Sequence, residues 1–176
     1  MTEALFDTDN IPTDDERVDP DMPPVREHHM LRLLAQRYTA VHGNGVRYVG
    51  ASHVRSAAGF DARRTADFIA MDLWPSSGLA LHGHEVKVSR SDWLNELKDP
   101  EKAGAFIPYM DYWWLVVSDA KIVRPGELPA GWGLMAKRGS QLVVKLQAQR
   151  RDAEPMPKTM MAAFLRAVVK SAGGVA

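Results

Sequence analysis

Two strand-length runs, "TADFIAMDLW" from Thr65 and "LALHGHEVKV" from Leu79, are separated by the turn cluster Pro75-Ser76-Ser77-Gly78. So short a link between β-type runs predicts a hairpin. Facing residues of an antiparallel pair have a constant index sum, so a turn centred near Ser76 or Ser77 sets that sum at 152 to 154. Asp67 then lies across from Glu85 or Lys87, whereas Asp72 faces residues 80 to 82, toward the turn. Side chains alternate between faces. Asp67, Ile69, Met71, Leu79, Leu81, Glu85 and Lys87 therefore share one side, and Ala70, Asp72, His82 and His84 the other. A slip of one residue would exchange Asp67 for Asp72, so register decides which acid meets Glu85.

The rest of the chain supplies elements to build around this hairpin. "PPVREHHMLRLLAQRYTAVH" carries Val25, Met30, Leu33, Leu34 and Val41 at helical spacing. "VRYVGASHVR" is a short strand, or a strand and turn, without clean alternation. After the hairpin, Ser91 is placed to cap a helix over Asp92 to Lys98, and Asp99-Pro100 to open a second. "DYWWLVVSD" reads as a buried strand, the Pro- and Gly-punctuated segment after it as two short strands, and "PKTMMAAFLRAVVKSAGG" as a terminal helix. Strand-helix-strand passages favour parallel pairing, so the expected fold is α/β, a mixed β-sheet flanked by helices. The expected organisation is an acidic, disordered leader at 1–24 and a single domain at 25–176, with its core at about 46–120 and a C-terminal helix at about 158–171.

Composition narrows the function classes. With no cysteine, disulfides, Cys-ligated zinc and thiol catalysis are excluded. No run reaches the roughly 18 apolar residues of a membrane helix, and the start lacks a signal peptide's basic and apolar regions, so a cytoplasmic protein with no membrane partner is expected. The net charge of zero conceals an asymmetry: residues 1–24 hold eight acids and one base, leaving 21 bases against 14 acids in the remainder. A basic folded part suits a polyanion partner. The acidic leader serves as a solubilising segment or as a competitor folded over the basic surface.

Three acid-x-Lys triplets occur: Glu85-Val86-Lys87, Glu96-Leu97-Lys98 and Asp119-Ala120-Lys121. On a strand, positions i and i+2 share a face, whereas on a helix they diverge by about 200°. Glu96 and Lys98 fall in a helical pattern and read as solvated surface, and Asp119 and Lys121 fall in a turn. Glu85 and Lys87 alone lie on a hairpin arm with a second acid, Asp67, opposite. Asp67, Glu85 and the backbone carbonyl of Val86 make an oxygen donor set of the kind Mg²⁺ or Mn²⁺ prefers. Such an ion activates water and polarises a phosphodiester, and Lys87 on the same face can stabilise charge developing on the phosphate. An ordinary ion pair at a strand end explains the triplet equally well.

"RRTADFIAM" followed by "HEVKVSRSDWLNELKDPEKAGAFIPYMDYWWLVVSD" resembles the PD-(D/E)XK nuclease superfamily, and more closely the MmcB-like DNA-repair endonucleases of bacteria and phages. The likeness runs from about Arg63 to Asp119 and lacks the proline of the superfamily's name. It implies a restriction-endonuclease-like core and Mg²⁺- or Mn²⁺-dependent endonuclease cleavage of DNA, in repair, recombination or phage DNA processing. Asp67 and Glu85 would be the metal acids and Lys87 the catalytic lysine, with Glu27 an extra acid from the first helix. Arg63, Arg64 and Lys102 match the family pattern as DNA contacts, and Arg55, Arg90 and Lys98 lie in the same segment. The setting implied is the cytoplasm, the host's if phage-encoded. A homodimer is compatible with cutting two strands, and a single copy with nicking.

Other readings stay open at this stage. His82 and His84 share a strand face, with Asp72 as a third ligand, which fits a His-ligated metal hydrolase. A DNA-binding accessory protein of the same fold would bind without cutting. Trp93, Tyr109, Trp113 and Trp114 are placed to stack on bases or, more ordinarily, to fill the core.

Overall fold

The computed structural model describes residues 24–39, 45–57, 64–98 and 104–173. Among these, six strands form one sheet in chain order: β1 (Tyr48–Arg55), β2 (Thr65–Asp72), β3 (Leu81–Lys87), β4 (Tyr112–Val117), β5 (Gly133–Arg138) and β6 (Gln141–Leu146). β1, β2 and β3 pair antiparallel, β3, β4 and β5 parallel, and β5 and β6 antiparallel. One face carries α1 (Glu27–Thr39); the other carries α2 (Arg90–Lys98) and α3 (Lys158–Ser171). The fold is α/β, with a mixed sheet flanked by helices.

The hairpin forms with an index sum of 152, from Phe68↔His84 to Met71↔Leu81. Ile69, Met71 and Leu81 consequently face α2 and α3, and Phe68, Ala70 and His84 lie on the face that α1 covers. β3 is central and covered on both sides, so its five residues from Gly83 to Lys87 are all buried despite their polarity. The passage from β3 through α2 to β4 yields the expected parallel pair.

Several local expectations need correction. α1 buries Met30, Leu31, Leu34 and Tyr38, whereas Leu33 is half-buried and Val41 lies outside the described residues. α2 begins at Arg90, and its cap is Ser89, whose Oγ accepts from the Asp92 N–H at 3.1 Å; Ser91 sits inside the first turn. The expected helix start at Asp99-Pro100 lies outside the described residues, and a 3₁₀ turn at Ile107–Tyr109 precedes β4. The sheet extends past residue 120, because β5 and β6 join it. β1 is a full strand whose irregular alternation has a local cause: His53 has φ of 53°, in the left-handed region, and both Ala51 and Val54 are buried. The acidic leader lies outside the described residues up to position 23.

Candidate functional site

Asp67 sits where the ladders on both sides of β2 are interrupted. On one side the pairs Ser52↔Phe68 and Val54↔Ala66 place left-handed His53 across from it without a ladder pair. On the other, β2 and β3 last pair at Phe68↔His84, one residue short of Asp67. There the Asp67 carboxylate replaces the main chain, its Oδ2 accepting the Val86 N–H at 2.7 Å. A strand residue's N–H and C=O face the same neighbour, so the Val86 carbonyl is directed to this gap as well.

Glu85 and Lys87 project together on the α2 side. Lys87 Nζ lies 2.5 Å from Glu85 Oε1 and 2.9 Å from Glu96 Oε2. All three are buried, at 3% for Glu85, 8% for Lys87 and 7% for Glu96. Burial, reinforced by the Asp67 carboxylate, pushes the Glu85 carboxyl up to about 7. For Lys87, burial favours loss of the proton, but Glu85 and Glu96 outweigh it and raise its pKa. Lys87 thus pairs with two carboxylates, Glu85 and Glu96, while that of Asp67 stands close enough to disfavour ionisation of Glu85.

Glu96 is the residue that sequence reasoning misplaced. Assigned to solvated surface, it is instead buried against Lys87. The signal was present in its spacing, since Glu96 follows Trp93 by three residues, and a fully buried Trp93 turns the same helix face inward.

These groups border a cleft of about 490 Å³ lined by Glu27, Asp67, Val86, Lys87, Asp92 and Glu96, among others. Glu85 lies behind the lining, capped by Lys87. Glu27, the extra acid expected from the first helix, does reach this cleft from the start of α1, and its Oε1 stands 3.9 Å from His53 Nδ1. No three His, Asp or Glu side chains among the described residues are grouped to hold a metal ion. The donors that fit one are two carboxylates and a main-chain carbonyl, hard oxygen ligands suited to a cation that keeps several waters.

The basic residues divide. Arg55 and Arg64 are exposed at one end of the β1–β2 pair, at and beside the pair Arg55↔Thr65. Arg63 and Lys102 lie outside the described residues. Arg90, expected to contact DNA, is instead engaged within the fold: it forms a two-pronged ion pair with Glu127 and donates to the Ile122 carbonyl at 2.7 Å. That pairing holds the Glu127 carboxyl well below the usual carboxylate range. Lys98 is exposed, its Nζ 3.4 Å from Asn95 Oδ1.

Of the aromatic candidates, Trp93, Trp113 and Trp114 are core residues and are unavailable for base stacking; Tyr109 is half-buried. The histidines are engaged by the protein on the reverse face. His84 Nε2 meets Tyr38 Oη at 2.9 Å and its Nδ1 the Phe68 carbonyl at 3.2 Å, while His82 Nδ1 accepts from Trp114 Nε1 at 3.3 Å. Burial holds His82 down to about 4 and His84 to about 3, so both are neutral near pH 7. Asp72 pairs with Arg47 at 2.9 Å. Their ligating groups are turned to this packing, and Asp72 and Glu85 lie on opposite faces.

In fold the chain is similar to a solved structure, the SPO1766 protein of unknown function from Silicibacter pomeroyi, with a TM-score of 0.55 and 19% identity over 87% of this chain and 88% of that one. At this identity the likeness concerns the α/β architecture alone. The sequence matches no family model and no curated protein. No helix among the described residues is long and apolar enough to cross a membrane.

Proposed function

We propose that the protein is a Mg²⁺- or Mn²⁺-dependent DNA endonuclease of the PD-(D/E)XK type, with a restriction-endonuclease-like core. One observation carries the reading: Asp67, the Val86 main chain, Glu85 and Lys87 meet where β2 and β3 part, beside an open cleft. Asp67, Glu85 and the Val86 carbonyl would hold the cation. Bound there, it would supply polarisation of the scissile phosphate and acidification of a water.

The chain's own residues supply the rest. The Val86 N–H donates to Asp67 Oδ2, which fixes that carboxylate beside the Val86 carbonyl. The Lys87 ammonium lines the cleft, where it can orient the attacking water or offset charge building on the phosphate. Arg55 and Arg64 offer phosphate contacts that confer affinity without sequence preference. Repair, recombination or phage DNA processing, in the cytoplasm, are the settings implied by the family resemblance, and a homodimer would serve cleavage of two strands.

The test is incubation with supercoiled, single-stranded, flapped and four-way-junction DNA in Mg²⁺ or Mn²⁺. Cleavage by the wild type and at least about 100-fold less by Lys87→Ala and Asp67→Asn is expected, the scale on which loss of one charge-stabilising group slows such reactions. Equal cutting by the variants, or none by the wild type, defeats the reading; DNA binding without cutting would identify the accessory protein instead. Tightly held zinc or iron in the purified protein would revive the histidine hydrolase.

A further inference from the structure

Glu85 faces a conflict. Its Oε1 is bonded to Lys87 and its side chain is 4% exposed, yet in the proposed nuclease it must present oxygen to a cation. Turning it toward the cation weakens its grip on Lys87, and a buried ammonium without a counter-ion is costly. A second carboxylate is already in place. Glu96 Oε2 holds the same Nζ from the opposite element, at 2.9 Å.

Glu96 is suited to this by what anchors it. It belongs to α2 and not to β3, so it need not move with the strand that carries Glu85 and Lys87. Three contacts secure that helix: the Ser89 cap, the fully buried Trp93, and the ion pair of Arg90 with Glu127. Trp93 Nε1 also donates to Glu127 Oε2 at 3.3 Å. We infer that Glu96 is a positioning residue that retains Lys87 when Glu85 turns to a divalent cation, so that the ammonium stays fixed at the cleft. This inference rests on the nuclease reading of the site.

The experiment follows the Lys87 ammonium directly, by NMR of full-length protein labelled with ¹⁵N-lysine and titrated with MgCl₂. Lys87→Met assigns the Nζ resonance, and backbone amides near Val86 report whether the cation binds. In the wild type the resonance shifts and persists at saturating Mg²⁺. In Glu96→Gln it is present without Mg²⁺, because Glu85 still holds the ammonium, and is lost to solvent exchange once Mg²⁺ saturates. A purely structural role for Glu96 predicts loss before any Mg²⁺ is added. Persistence in saturated Glu96→Gln, or loss in the saturated wild type, overturns the inference while leaving the nuclease reading intact. If the amides near Val86 do not respond to Mg²⁺, the cation site itself fails and the inference with it. Should Glu96→Gln not fold, the wild-type titration still decides, with ¹³C shifts of the Glu85 carboxyl showing whether that group moves to the cation while the ammonium signal is retained.

Discussion

Glu85 has a consequence for pH. Its carboxyl is raised from an ordinary 4.5 to about 7, by burial first and by Asp67 next. Between those values the folded state binds a proton that the unfolded state has released, so the contribution to stability is full below about 4.5 and is lost as pH rises through 7. Without metal, the protein should lose stability across this window, and Glu85→Gln should flatten the slope, as urea unfolding at a series of pH values will show. At the proposed site Mg²⁺ would bind the ionised carboxylate and should therefore raise the melting temperature more at pH 8 than at pH 5. An equal rise at both would place the cation elsewhere. At this scale the sequence was informative about Asp67, Glu85 and Lys87 because the hairpin's period-two geometry sets which side chains share a face. It misplaced Glu96, since an acid on a helix reads as solvated unless its spacing from Trp93 is joined to the knowledge that Trp93 turns inward. Arg90 failed for a related reason: Glu127, 37 residues away, occupies it.

The elements that bring these residues together make their own predictions. The sequence pattern pointed to Ser91 as the cap of α2, and the structure has Ser89 in that role. Ser89→Ala should cost about 1 kcal/mol in chemical denaturation and Ser91→Ala nothing, because Ser89 caps the helix whereas Ser91 lies within it, where alanine is the better helix former. β3 passes under Trp113 at Gly83, where a Cβ would stand 2.3 Å from the ring. Gly83→Ala should therefore destabilise by about 1 to 3 kcal/mol through overpacking. A change below 0.5 kcal/mol would mean that the ring is free to move aside. The hairpin, the parallel passage through α2 and the terminal helix were all legible, because turn residues and apolar periodicity are local signals. The exchange of Leu33 for Leu31 and Tyr38 in α1 was not, because a helical stripe can rotate by a residue and only the sheet beneath it fixes the angle.

For the whole molecule, the charge asymmetry becomes a binding prediction. Residues 25–176 hold 21 bases against 14 acids, and Arg55 and Arg64 are exposed at one end of the β1–β2 pair. Arg64→Ala should weaken DNA binding to a similar degree for all sequences and reduce the slope of log affinity against log salt by about 1, as measured by fluorescence anisotropy. An unchanged slope would remove Arg64 from the interface. The α/β class, the hairpin, and a register narrowed to an index sum between 152 and 154 were legible in the chain alone, because they follow from periodicity and from turn residues between neighbouring runs. It took the packed molecule to show that β2 and β3 part beside Asp67, that Glu96 pairs with Lys87, and that Trp93, Trp113, Trp114 and His84 belong to the interior. Those outcomes depend on which distant elements pack together, and burial and pairing partners are properties of that packing rather than of any local stretch of chain.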